Sequence, residues 1–336
     1  MVVSREITNW LPEYPPSLDA AKELPEPEVV DVSCTHEIRF EDAVNVQHLQ
    51  PESVDLVVTS PPYWSIKDYG RPGQLGFGDD LDVYIDKLAI ILGYCIRALK
   101  PKSRLCVNIG DQFLRASTPP KKVYEIVPLH AYLINRLLVE WKDDLVYQGS
   151  IFWAKVTKSQ TSGGGQIMGS YPYPKQGYFF VNREFIAIFG KGGKVRKEQR
   201  PPPLLKEASR LSLEEWQTFF KDTWNFRHAP QDSHRAVFPD ELPERLIKMY
   251  SFVGDTILDP FLGSGTTVRV AALLGRSSLG YEIGFDTVDG SDWQELIQAK
   301  VEVGDQKIPF EIQEKTDGVK NTRPALLRVH NIFKYS

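Results

Sequence analysis

The sequence predicts an α/β fold built on a doubly wound, mostly parallel β-sheet. Short, mainly apolar runs at residues 54–59 and 105–109 are typical of strands that are buried on both faces. Between them, residues 83–99 carry apolar side chains at helical spacing. Strands that alternate with helices of this length favour parallel pairing through crossover connections.

The elements follow each other regularly along two parts of the chain. The first part predicts strands at 37–40 and 54–59, a helix at 83–99, a strand at 105–109, a helix at 123–139 and a strand at 145–153. Periodicity is lost between 157 and 225, where glycine- and proline-rich stretches surround one predicted strand at 184–189. The pattern resumes with a helix at 240–251, a strand at 256–258, a helix at 266–274 and a strand at 277–281.

These patterns divide the 336 residues into five segments: a proline- and acid-rich arm at 1–35, an α/β part at 36–156, an insert at 157–225, a second α/β part at 226–285 and an extension at 286–336. The net charge is −4, yet residues 151–200 hold nine lysines and arginines against two glutamates. Residues 151–200 are therefore basic and the remainder of the chain is acidic, which indicates an anionic partner for this segment.

Other features exclude several classes of protein. The three cysteines are scattered, so the sequence predicts neither a disulfide framework nor a structural zinc site, and no metal is expected. No apolar run reaches the length of a membrane span, and the N-terminus lacks the apolar core of a signal peptide. We therefore expect a cytoplasmic protein without a membrane partner.

The stretch ILDPFLGSGTT predicts a strand, a glycine turn and the start of a helix. No lysine follows Gly265, so the stretch is not a P-loop, and Val268 occupies the third glycine position of a dinucleotide fingerprint. An acid ending the next strand, Glu282, suits ribose hydroxyls, and Asp259 suits a positive charge. A nucleoside with a cationic tail and no phosphates is S-adenosylmethionine. The alternative is an ordinary turn into a helix, with Glu282 in solvent.

The stretch TSPPYW ends a predicted buried strand, where open α/β sheets place their ligands. Ser60 offers a hydroxyl, and the ring of Pro62 fixes the direction of the Pro61 carbonyl. Tyr63 and Trp64 offer flat faces. Two acceptors beside an aromatic face suit a planar heterocycle with an exocyclic amine. The alternative is a strand ended by prolines, with a Tyr-Trp pair in the core.

Together the two motifs resemble the amino-group DNA methyltransferases, in the motif order of the β class and with Ser60 as in the N4-cytosine branch. The resemblance implies a Rossmann-like methyltransferase sheet that binds S-adenosylmethionine, with a catalytic half at 36–156, a target-recognition insert at 157–225 and a cofactor-binding half at 226–285. It implies catalytic roles for Ser60, Pro61, Pro62 and Tyr63. It implies cofactor contacts for Asp42, Phe238, Asp259, Phe261, Gly263, Gly265, Thr266 and Glu282.

The expected partner is duplex DNA, with the target base flipped out of the helix. The residues expected to contact DNA are Trp64, Lys155, Lys158, Lys175, Lys191, Lys194, Arg196 and Lys197. Serine before Pro-Pro-Tyr favours cytosine N4 over adenine N6, although both bases present an amine beside a ring acceptor. C5 methylation is excluded, because no Pro-Cys dipeptide supplies its cysteine nucleophile. A cognate restriction endonuclease is a possible partner, and the oligomeric state is left open.

Two other functions remain open at this point. One is a methyltransferase that acts on RNA or on a protein amide, for which the long basic insert would be unnecessary. The other is a catalytically inactive DNA-binding relative. The presence of Ser60, Tyr63, Asp259 and Glu282 together argues against loss of activity.

Overall fold

A computed structural model describes residues 30–64, 74–114, 125–154, 175, 181–226, 239–283, 311–314 and 326–335. Its strands are β1 (Val30–Arg39), β2 (Val54–Thr59), β3 (Leu99–Ile109), β4 (Gln112–Leu114), β5 (Glu125–Val127), β6 (Leu145–Ala154), β7 (Arg183–Lys191), β8 (Thr223–Trp224), β9 (Thr256–Asp259), β10 (Ser277–Tyr281), β11 (Glu311–Glu314) and β12 (Leu326–Tyr335). Its helices are α1 (Leu81–Ala98), α2 (Leu129–Glu140), α3 (Pro203–Ala208), α4 (Leu213–Phe219), α5 (Glu241–Tyr250) and α6 (Thr266–Leu273).

Within the described residues, ten strands form one sheet in the order β11-β12-β1-β10-β9-β2-β3-β7-β6-β8, and β4 pairs with β5 separately. The five central strands, from β1 to β3, are all parallel to their neighbours. β7 runs antiparallel to β3 and to β6, and β12 runs antiparallel to β1. The predicted α/β class is confirmed, with a parallel centre and antiparallel additions on both sides.

Helices cover both faces of the sheet. One core joins α1 and α2 to alternate residues of the central strands, such as Val57 and Val107. The other core contains the intervening residues, such as Val58 and Cys106, together with apolar residues of α5 and α6. Burial on both faces explains why Leu56, Val57 and Val58 of β2 are consecutive apolar residues rather than alternating apolar and polar ones.

The parallel strands place their carboxyl ends at a single edge, which we call the catalytic edge. Adjacent strands are in register there, with Arg39 opposite Tyr281, Gly280 opposite Asp259, and Thr59 opposite Val107. Because β7 is antiparallel, it begins at this edge and ends at the opposite one. β6 ends at the catalytic edge, since Ala154 pairs with Arg183.

The structure differs from the sequence expectations in several regions. β1 begins at Val30 rather than at residue 37. Residues 125–127, predicted as part of a helix at 123–139, form β5, and α2 begins at Leu129. The insert contains the short helices α3 and α4 and the strand β8, which its proline-rich composition concealed. The extension supplies β11 and β12, and β12 pairs with the whole length of β1. Among the described residues, no helix has both the length and the apolar character needed to cross a bilayer.

Candidate active site

The Ser-Pro-Pro-Tyr segment follows β2 directly and is anchored by the start of α1. The buried Tyr84 donates its hydroxyl to the carbonyl of Pro62 at 2.9 Å. The indole N–H of Trp64 donates to the carbonyl of Asp79 at 2.7 Å, and the ring of Trp64 packs against the core. These two contacts fix the path of the chain on the carboxyl side of Ser60. Trp64 therefore acts as an anchor in this structure, and its contact with DNA stays a prediction.

Ser60 is contacted from the neighbouring strand β3. The amide nitrogen Nδ2 of Asn108 lies 3.4 Å from Ser60 Oγ and 2.7 Å from Glu184 Oε2. Asn108 and Glu184 are both buried. Ser60, Asn108 and Glu184 thus form a row across β2, β3 and β7 at the catalytic edge.

The glycine loop after β9 adopts the backbone geometry that its glycines permit. Gly263 and Gly265 have φ values of +56° and +82°, a region that side chains with a Cβ disfavour. The N–H of Gly263 donates to Glu282 Oε2 at 2.9 Å. A Cβ on Gly280 would meet Leu262 at 2.7 Å, so that glycine lets the loop close onto β10.

Asp259 lies beneath this loop and is fully buried. Its Oδ1 accepts from the Thr59 hydroxyl at 2.7 Å and from the Phe261 N–H at 3.1 Å, and its Oδ2 accepts from the Thr267 hydroxyl at 2.6 Å. Burial raises the pKa of Asp259 to about 6, and the three hydrogen bonds oppose that rise. The carboxylate is therefore ionised above about pH 6 and places a negative charge under the loop.

The remaining cofactor candidates lie along the same edge. Asp42 is exposed just beyond β1 and caps the 3₁₀ helix Ala43–His48 by accepting from the Val44 N–H at 2.9 Å. The N–H of Glu282 donates to the carbonyl of Arg39, which joins the ends of β10 and β1. Thr266 is buried at the start of α6. Phe238 lies outside the described residues.

These residues fit S-adenosylmethionine by their chemistry. The exposed Gly263 gives a ligand access to the backbone of the turn, the half-buried Glu282 supplies an acceptor for hydroxyls, and the buried Asp259 supplies a negative charge for a cationic tail. Asp42, at the end of the next strand, extends the row of acceptors.

The basic residues predicted to bind DNA fall into two groups. Lys191, Lys194, Arg196 and Lys197 lie at or beyond the end of β7, at the edge opposite Ser60. Lys191 Nζ donates to the carbonyls of Arg97 and Leu99, and Arg196 pairs with Glu52 at 2.7 Å. β7 has nine residues, so its two ends are about 26 Å apart at a rise of about 3.3 Å per residue. The structure does not bring this group to the catalytic motif.

The second group belongs to the chain between β6 and β7. That chain leaves β6 at Ala154 and returns at Arg183, both at the catalytic edge. Lys175 is exposed. Lys155 and Lys158 lie outside the described residues.

Sequence reasoning did not identify Thr59, Tyr84, Asn108, Glu184 or Thr267 as parts of the site. Thr267 and Thr59 adjoin the two motifs, and a polar residue in an apolar strand was a usable signal for Asn108. No group of metal-ligating side chains occurs among the described residues. All three cysteines are buried, and burial raises the pKa of the Cys106 thiol to about 12, which makes it a poor nucleophile.

Comparison with known proteins agrees with this geometry. Residues 54–291 match the N6/N4 family model described as DNA methylase. The type II methyltransferase M.MjaI of Methanocaldococcus jannaschii is 32% identical over 287 residues, which cover 76% of this chain and 89% of that protein.

Two solved structures share the fold. TTHA0409 of Thermus thermophilus, a putative DNA modification methylase solved with S-adenosyl-L-methionine, superposes with a TM-score of 0.63 at 30% identity, covering 80% of this chain and 95% of that one. The PvuII DNA methyltransferase, described as cytosine-N4-specific, superposes with a TM-score of 0.52 at 17% identity, covering 78% and 90% of the two chains. At that identity the second comparison supports the fold alone.

Proposed function

The chain belongs to the N6/N4 DNA methylase family, a family of site-specific, S-adenosylmethionine-dependent DNA methyltransferases, and from this premise we propose that its target is the N4 amine of cytosine in duplex DNA. The observation that carries the proposal is Ser60, a neutral hydroxyl directly before Pro-Pro-Tyr at the catalytic edge. The motif resembles that of the N4-cytosine branch, in which serine replaces the aspartate of N6-adenine enzymes.

The cofactor supplies an electrophilic methyl group, and the chain's residues prepare the amine that receives it. Ser60 Oγ and the Pro61 carbonyl accept one hydrogen bond each from the amine, and Tyr63 stacks on the flipped base. Holding both hydrogens localises the nitrogen lone pair, which is otherwise delocalised into the ring. Stacking contributes about 1–3 kcal/mol per base, which offsets part of the few kcal/mol that unstacking costs.

The proposed cofactor contacts divide by chemistry. Glu282 holds the ribose hydroxyls, and Asp42 lies beside the adenine. Asp259 and the loop of Phe261, Gly263, Gly265 and Thr266 surround the methionine part. The contact of Phe238 with the cofactor stays a prediction from the resemblance.

We further propose that target recognition resides in the chain between β6 and β7. Both attachment points of this segment lie at the catalytic edge, and it contains Lys155, Lys158 and Lys175. Cations at this edge can contact phosphates on either side of a flipped base. The basic residues at the far edge include Arg196, which forms an ion pair with Glu52, and Lys191, which donates to the carbonyls of Arg97 and Leu99.

Relatives of this chain are named type II methyltransferases, and we propose that it likewise protects DNA from a cognate endonuclease that cuts the same site. DNA treated with the protein and cofactor should resist that endonuclease. Cleavage at an undiminished rate would contradict the pairing.

The base is identified by incubating the protein with labelled S-adenosylmethionine and methyl-free plasmid DNA, then digesting to nucleosides. Label in N4-methyl-2′-deoxycytidine is the expected result. Label in N6-methyladenine would overturn the assignment of the base while leaving the family's reaction in place. A parallel sample with RNA should remain unlabelled.

A further inference from the structure

A buried polar pair lies beside the catalytic serine on one face of the sheet. Asn108 and Glu184 are 2% and 5% exposed, and their hydrogen bond of 2.7 Å joins β3 to β7. The same Asn108 nitrogen lies 3.4 Å from Ser60 Oγ. The pair therefore connects the reactive end of β2 to the strand that begins at the same edge.

Packing alone does not explain this pair. The neighbouring side chains on the same face, Cys106, Ile186 and Ile188, form an apolar core. Burying an amide and a carboxylate there costs more stability than an apolar pair of similar volume. In addition, Oδ1 of Asn108 has no hydrogen-bond partner within the described chain. Buried polar groups that are kept at such a cost are a feature of functional sites.

Glu184 fixes which way the Asn108 amide faces. Asn108 Nδ2 donates to Glu184 Oε2 at 2.7 Å, so the amide presents its NH₂ group to Glu184. The reversed amide would set two acceptor oxygens against each other. The NH₂ group that faces Glu184 also faces Ser60, so Ser60 Oγ accepts from Asn108 and its own proton is directed elsewhere.

We propose that Asn108, oriented by Glu184, is a positioning residue that holds the Ser60 hydroxyl for methyl transfer. With one lone pair engaged by Asn108, Ser60 keeps its second lone pair for a hydrogen of the target amine and its own proton for the ring nitrogen beside that amine. Asn108 and Glu184 need not touch the base. The proposal rests on methyl transfer to an exocyclic amine and holds whether cytosine or adenine carries it.

The test measures single-turnover methyl transfer from labelled S-adenosylmethionine to methyl-free plasmid DNA, with the full chain at saturating cofactor and DNA. Asn108→Ala should lower the rate constant about 10- to 100-fold, the range expected when a reacting group is misplaced. Cofactor affinity, measured by calorimetry, should equal that of the wild type. Glu184→Gln keeps the shape of the side chain but removes the constraint on the amide, so it should lower the rate by a smaller factor.

The double variant gives the sharpest result. If Glu184 acts through Asn108, adding Glu184→Gln to Asn108→Ala should cause no further loss. A wild-type rate in Asn108→Ala, or fully additive losses, would overturn the proposal. If Asn108→Ala does not fold, Glu184→Gln, which keeps the shape of the side chain, becomes the test. A wild-type rate of methyl transfer in Glu184→Gln then overturns the proposal.

Ser278→Ala is the matched control, because Ser278 is also buried and forms a hydrogen bond of 2.7 Å, to His36, away from Ser60. Ser278→Ala should keep the wild-type rate of methyl transfer. If its rate falls as far as that of Asn108→Ala, the loss reflects a general effect on stability, and the proposal is overturned. Label in N6-methyladenine would overturn only the proposed base. Absence of transfer by the wild-type chain would overturn the proposed function and this inference together.

Discussion

Thr59 at the end of β2 donates its hydroxyl to Asp259 at the end of β9, at 2.7 Å and across 200 residues of sequence. Both side chains are buried. Thr59 immediately precedes Ser60, and Asp259 begins the glycine loop. One hydrogen bond therefore ties the segment that we propose to hold the target base to the segment that we propose to hold the cofactor.

Thr59→Val removes this bond while keeping the side-chain shape. Since hydrogen bonds to the ionised form hold down the pKa of Asp259, which is about 6, the variant should have a higher pKa there. A cationic cofactor binds better when Asp259 is ionised. The affinity of the wild type for S-adenosylmethionine should therefore rise as the pH increases through about 6. In the variant the same rise should occur at higher pH. Calorimetry measures the affinity of both proteins. The variant should also lose about 1–2 kcal/mol of stability.

Two further variants test that interpretation. Thr223→Val removes an exposed hydroxyl bond to Asp222 and should leave the affinity profile unchanged. Asp259→Ala should weaken cofactor binding at every pH above about 6, where the wild-type carboxylate is ionised. Unaltered affinity in Asp259→Ala would contradict a role for this carboxylate in binding the cofactor.

Tyr63→Ala should strongly lower turnover while cofactor binding is retained, because the stacking face that receives the base is lost. The expected loss in base binding is about 1–3 kcal/mol. Tyr63→Phe retains the ring and should keep most of the activity. Calorimetry for the cofactor and nucleoside analysis for transfer separate the two effects. Full activity in Tyr63→Ala would show that stacking is misassigned.

The parts of the site that sequence predicted were those encoded by adjacent residues. An apolar strand ended by Pro-Pro and a strand followed by Gly-x-Gly each carry their geometry locally, and both end at the catalytic edge as expected. Asn108 and Glu184 lie 76 residues apart and meet only through the pairing of β3 with β7.

The direction of β7 was equally hidden, because an apolar run does not reveal whether it pairs parallel or antiparallel. The antiparallel direction sends the basic residues after Lys191 to the far edge of the sheet. β11 and β12 were missed because their pairing with β1 depends on a distant partner rather than on a strong local pattern.

Tyr84→Phe tests the anchor behind the proline pair. The variant loses the hydroxyl that donates to the Pro62 carbonyl at 2.9 Å, and it should lower stability by about 1 kcal/mol, as is typical for one hydrogen bond. We expect slower methyl transfer with unchanged cofactor affinity, since the Pro61 carbonyl next to the anchor becomes less well fixed. Tyr132→Phe, at an exposed position on α2, is the control. Equal rates in the two variants would contradict the anchoring role.

Asp255 predicts a dependence of stability on pH. Burial, and then the nearby Asp55, raise the pKa of Asp255 to about 7. The folded state then retains a proton that the unfolded chain releases near pH ~4, so the free energy of unfolding falls as pH rises from about 4 to about 7. Asp255→Asn should remove this loss and raise the melting temperature most at a pH above that range. Asp143→Asn, at an exposed site, should leave the melting temperature nearly unchanged. A gain in melting temperature in Asp255→Asn that does not depend on pH would contradict the raised pKa of Asp255.

Two triple variants, each of which loses three positive charges, locate the DNA-binding surface. Replacing Lys155, Lys158 and Lys175 by glutamine removes three cations from the segment attached at the catalytic edge. Replacing Lys194, Arg196 and Lys197 by glutamine removes three cations from the far edge. Log affinity falls as log salt concentration rises, and each lost phosphate contact should reduce the magnitude of that slope by about 0.9. Fluorescence anisotropy with duplex DNA should show weaker binding and a smaller slope for the first variant and wild-type behaviour for the second. The reverse result would place DNA against the far edge, about 26 Å along β7 from the catalytic edge.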